Sequence, residues 1–93
     1  MVLVFIMIEN IFLKNLPCID LHGCDRESAR YETEEFIKEN VIMKNKKIVI
    51  IHGIGQGIVK ESVHNTLKKS KNVVKYSVDI YNEGCTVVEL KFD

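Results

Sequence analysis

The sequence predicts an α/β domain of element order β-α-β-α-β-β, in which a mixed four-stranded sheet carries two helices on one face. Three observations point there. Short runs that alternate apolar and polar residues, or are apolar throughout, recur at residues 18–22, 48–51, 73–80 and 85–92 at the length of strands. Two stretches between them, 26–43 and 58–70, repeat apolar residues three and four apart, as helices do. With 93 residues the chain has room for one core, so all six elements must share it. Right-handed crossovers then make the first three strands parallel and put both helices on one side, and a tight hairpin makes the last strand antiparallel.

Each element has its own warrant. The opening MVLVFIMI reads either as a short packed strand or as an over-extended start with Met7 the natural first residue. It is too short to span a bilayer and lacks the basic lead-in and cleavage site of a signal peptide, so no membrane partner is expected. Residues 1–16 form this N-terminal segment and residues 17–93 the domain. After Pro17, CIDLHG sets Cys18, Asp20 and His22 on one face of a strand and Ile19 and Leu21 on the other. Asp25 can cap the first helix, whose Ala29, Thr33, Phe36, Ile37 and Val41 make the inward stripe. KNKKIVIIHG is lysine-rich and then unbroken in apolar residues, the pattern of a central strand. Glycines 53, 55 and 57 interrupt the chain before IVKESVHNTLKKS, a helix with its stripe at Val59, Val63, Thr66 and Leu67. In the hairpin, Val74, Tyr76, Val78 and Ile80 share one face, Tyr81 to Gly84 turn, and Thr86, Val88, Leu90 and Phe92 share a face of the last strand.

Charge is unevenly spread. Thirteen bases cancel thirteen acids overall, but residues 43–75 hold eight lysines against Glu61 alone, a cationic block of +7. Three cysteines, an odd number without a C-x-x-C pair, argue against a secreted disulfide framework and for a reducing compartment, the cytoplasm.

The candidate chemistry gathers at one sheet edge. Two parallel strands ending in Leu21-His22-Gly23 and Ile51-His52-Gly53 bring both histidines to the C-terminal edge, where open α/β sheets place ligands. Asp20 shares a face with His22 and can fix its tautomer and raise its basicity. GIGQG leads into a helix N-terminus, whose unpaired amides favour an anion such as phosphate. The plain alternatives are structural strand-end histidines, a tight turn and a solvated lysine face. Cys18, His22 and Cys24 match no zinc spacing. As a dinucleotide fingerprint with Asp79 as the acidic partner, the glycine run fails, because Ile58 stands where the third glycine belongs.

IDLHG, a helix carrying Arg26 to Ala29, IVIIHGIGQGIVKESV and a hairpin ending in CTVVELK together resemble the small MutS-related (Smr) domain over residues 17–92. The resemblance implies a two-layer α+β sandwich that binds DNA or RNA, with several members acting as endonucleases and some belonging to repair proteins. Carried over by position, Asp20 and His22 fall on a D-x-H pair implicated in cleavage, and His52, Gly53, Gly55 and Gly57 on the family's second motif, H-G-x-G-x-G before a helix. Ile54 stands where that motif commonly has Lys or Arg, and Lys60 is the nearest substitute.

Two functions are therefore expected to compete. In the first, the domain is an endonuclease: amides of residues 53–59, Gln56 among them, and Lys46, Lys47 and Lys60 hold phosphate, while Asp20, His22 and His52 handle protons. A divalent ion, Mg²⁺ or Mn²⁺, is compatible with Asp20 plus substrate phosphate, and no dedicated metal site is expected. In the second, the same surface binds nucleic acid without cleaving it. A small-molecule phosphohydrolase or a protein adaptor is a third class.

Overall fold

The computed structural model describes residues 16–92, so both readings of the opening segment lie outside the described residues. Six elements follow in the expected order: β1 (Cys18–Asp20), α1 (Arg26–Ile42), β2 (Lys47–Ile51), α2 (Ile58–Lys69), β3 (Val73–Val78) and β4 (Cys85–Leu90). The sheet order is β1-β2-β4-β3, with β1 parallel to β2 and β4 antiparallel to both of its neighbours. Three strands thus run one way and β4, inserted between β2 and β3, runs the other.

The alternation read from the sequence decides which face meets the helices. Ile19 and Leu21 of the β1 arm, Ile48 and Ile50 of β2, and Val88 and Leu90 of β4 join Ile37 of α1 and Val63 and Leu67 of α2 in one core. Burying each such side chain contributes about 1.5–3 kcal/mol before entropy is set against it. Polar residues inside the helix layer turn their groups back to the preceding turn. Thr33 Oγ1 donates to Ala29 O at 2.7 Å, Asn40 Nδ2 to Phe36 O at 2.8 Å and Thr66 Oγ1 to Ser62 O at 2.8 Å.

Both helices begin at the same edge of the sheet. Asp25 caps α1 by accepting from Ser28 N at 2.7 Å, and Ser62 Oγ of α2 donates to Arg26 O at 2.7 Å, tying the two starts together. The Arg26–Glu61 ion pair spans the same gap. These contacts are what bring two helix N-termini to the strand ends that carry the histidines.

One face assignment differs from the sequence pattern. A register shift between Val73 and Lys75 puts Val73, not Val74, against the core and leaves Val74 exposed. Ile80 is exposed as well, because β3 stops at Val78 and the turn begins at Asp79, where Asn82 N donates to Asp79 O at 3.3 Å.

Candidate functional site

The exposed half of the site grows from β1. Asp20 and His22 project from the sheet face opposite the helices, at the C-terminal rim. Asp20 Oδ1 lies 2.6 Å from His22 Nδ1 and also accepts from His22 N at 3.1 Å. The carboxylate accepts, so Nδ1 carries the proton and Nε2 presents its lone pair outward. The hydrogen bond and charge of Asp20 raise the His22 pKa, and the same bond lowers that of Asp20. Both side chains remain open to solvent, His22 at 69% and Asp20 at 52%.

The glycine bend sits against this pair. Gly53 adopts φ 82°, and a Cβ built there would come within 3.1 Å of His22 Cβ, so only glycine lets the two segments approach so closely. Gly57, at φ 83°, occupies the N-cap of α2 and offers no side chain to its amides. The first helical bond is Glu61 N to Gly57 O at 2.9 Å; the amides of residues 54–60 have no acceptor among the described residues. Gly53 N is different: it and His52 N both donate to Gly84 O, at 3.0 and 2.8 Å. The cradle therefore starts one residue later than expected. A cavity of about 380 Å³ opens over it, lined by Gly23 to Arg26 from one helix start and by His52 to Lys60 from the other. Gly55, Gln56 and Lys60 all line it.

His52 reaches the rim but turns the other way. Following Ile48 and Ile50 in parity, its ring points into the helix-covered side, where it is 4% exposed. Nδ1 donates to Gly53 O at 2.9 Å, and Nε2 accepts from Thr86 Oγ1 at 2.8 Å. Thr86 Oγ1 in turn accepts from His64 Nε2 at 2.8 Å, and the His64 ring packs edge-on to His52 and Tyr76. The carbonyl of Gly53 fixes this chain of tautomers, because it can only accept. Burial is the main cause that lowers the pKa of both rings, and Lys60 lowers them further. Both shifts favour the neutral ring.

Of the expected site residues, Gly53, Gly55, Gln56, Gly57 and Lys60 share the cavity, and the Asp20–His22 pair stands beside it, joined to the bend where His22 meets Gly53. The structure separates three. His52 shares the rim but not the face, since a ring with both nitrogens engaged under the helices does not meet a ligand on the far side. Lys46 and Lys47 lie at the opposite end of β2, about 13 Å away along its five residues. Among the described residues no three His, Cys, Asp or Glu side chains are grouped to hold a metal ion. Asp25 lines the cavity and Asp20 stands beside it as a second hard oxygen donor. Sequence reasoning missed Arg26, a lining residue, and the Thr86–His64 relay. A bias toward β-branched residues in β4 gave no sign of the relay, because its partners are 22 and 34 residues apart.

Fold and rim together define a two-layer α/β domain whose ligand edge pairs a solvent-facing carboxylate–imidazole couple with unpaired helix-end amides. The chain belongs to the Smr domain family, whose model matches residues 19–91. It is 40% identical over 76 residues to an endonuclease MutS2 of Clostridium tetani, a match covering 78% of this chain and 10% of that protein. The chain thus spans about a tenth of the length of the curated relatives it matches. The Smr domain of Thermus thermophilus MutS2 superposes with a TM-score of 0.79 at 23% identity, over 82% of this chain and 99% of that one. YdaL, a stand-alone small MutS-related protein of Escherichia coli, gives 0.75 at 23% identity, over 80% of this chain and 63% of that one. No helix among the described residues is long and apolar enough to cross a membrane.

Proposed function

We propose that this domain binds DNA or RNA at the C-terminal rim of its sheet and hydrolyses a phosphodiester there. The observation that carries the reading is the Asp20–His22 couple, exposed and set against an amide-lined bend. The curated relatives named endonuclease MutS2 give the reaction class. The amides after Gly53 and the Lys60 ammonium hold the phosphate, where the positive ends of two helix dipoles converge. His22, its tautomer fixed by Asp20, takes a proton through Nε2 from the attacking water as its oxygen bonds to phosphorus, and the ester P–O bond breaks with solvent protonating the departing oxygen. A divalent ion, when bound to Asp20 and the phosphate, would neutralise charge on the phosphoryl oxygens. His52 acts through the bend, holding Gly53 O from behind, and is a positioning residue.

Binding without cleavage is the second reading, favoured by the inward turn of His52, which leaves one exposed imidazole where general acid–base hydrolysis commonly uses two groups. The two readings part in a single assay. Asp20→Ala and His22→Ala are each expected to lower cleavage of a labelled oligonucleotide at least a hundredfold while affinity changes less than threefold. Wild-type protein that binds but does not cut, with or without Mg²⁺ or Mn²⁺, establishes the second reading.

A further inference from the structure

The rim carries apolar side chains that phosphate binding does not need. Ile54 is 69% exposed at the outer lip of the cavity, and Ile58, also exposed, begins α2 on the same lip. The hairpin turn, which meets the bend through Gly84, carries Ile80, 83% exposed, and Tyr81, 56% exposed. Half of the eight large hydrophobic residues left exposed among the described residues thus stand on these two loops. The loops are fastened to each other. Gly84 O accepts from both His52 N and Gly53 N, and a Cβ on Gly84 would come within 3.4 Å of Gly53 Cα. Ile54 and Ile58 therefore border the amides and Lys60 in the cavity itself, and Ile80 and Tyr81 stand on the loop fastened to it, making an apolar crest in two parts.

We infer that this crest receives unpaired bases of the strand whose phosphate occupies the bend, making Ile54, Ile58, Ile80 and Tyr81 the residues that select unpaired over continuously base-paired nucleic acid. The inference rests on the reading of the rim as a nucleic-acid site. A phosphate in the cavity brings its flanking sugar and base within reach of the lip. In a regular duplex those bases are stacked and paired inside the helix and offer the crest only a charged, hydrated backbone. An unpaired base presents an apolar face that can cover an isoleucine or stack on a tyrosine ring. Apolar wedges also favour sites where the stack is already open. The lysine that draws the backbone in and the apolar crest that takes the base complement the two halves of a nucleotide.

The test uses fluorescence anisotropy of the full chain with two labelled probes, a single strand and the blunt-ended duplex it forms with its complement, at fixed salt. The wild type should prefer the single strand about tenfold or more, the effect of covering one or two such side chains. The Ile54→Ser, Ile80→Ser double variant, matched to the wild type by circular dichroism, should bring that ratio to twofold or less. Equal binding of both probes by the wild type, or an unchanged ratio in the variant, overturns the inference and leaves the rim reading standing. Binding to neither probe overturns both. A single strand carrying 2-aminopurine provides a check on unmutated protein: its emission should change on binding, and an unchanged signal from bound probe counts against the crest.

Discussion

Replacing Thr86 with valine is expected to cost the domain about 2 kcal/mol, although the change preserves shape. Thr86 is fully buried, and its hydroxyl is the one group that joins His52 and His64, at 2.8 Å to each Nε2. Valine leaves the His52 Nε2 lone pair facing a methyl group in a ring that water does not reach. An unsatisfied buried acceptor costs about 1–3 kcal/mol, and the half-buried His64 adds a smaller amount. In a domain of this size, 1 kcal/mol moves Tm by roughly 4–8 °C, so the variant should melt about 8–16 °C lower. Urea titration followed by circular dichroism should show a lower midpoint with an unchanged slope, as befits lost stability without altered compactness. Thr86→Ser, which keeps the hydroxyl, should recover part of the loss. A valine variant melting within 2 °C of the wild type would refute the relay as a stabilising element.

Three further outcomes are expected. Burial holds the His52 and His64 pKa values below the ordinary 6.5. The unfolded chain therefore takes up protons first, and stability should be fully present above about 6.5 and fall as pH drops below it, measurable as urea midpoints between pH 5 and 8. Asp20 raises the His22 pKa. If His22 is the base, the acid limb of kcat/KM against pH should lie above 6.5 and move down in Asp20→Asn; an unmoved limb excludes Asp20 as its partner. Gly53→Ala meets a positive φ and the His22 Cβ at 3.1 Å, so it should cost about 1–2 kcal/mol in urea melts and impair cleavage more than binding.

Most of the fold was legible because it depends on local pattern. The alternation in CIDLHG and CTVVEL, the helical stripe through Ala29, Thr33 and Ile37, and the Asp25 cap are each set within a few residues and survive in the structure. Val74 was misread for a physical reason: a bulge inserts one residue without any signature in VVKYSV, and every side chain before it changes face. The site was legible in part. Asp20 and His22 share a face because two residues separate them, and period two guarantees that. The opposite fates of His22 and His52 depend on strand register and helix placement: β1 pairs Asp20 with Ile51, so the two rings leave the sheet on alternate sides. Lys46 and Lys47 looked near the bend only because a short strand separates them in sequence.

The shared acceptor at Gly84 has a practical consequence for engineering. One oxygen anchors the hairpin tip and the glycine turn at once, so neither loop can be lengthened, swapped or tilted without carrying its neighbour along. A reporter dye attached at the tip would feel whatever settles in the adjoining hollow. Conversely, transplanting the turn into another scaffold would need its carbonyl brace transplanted as well.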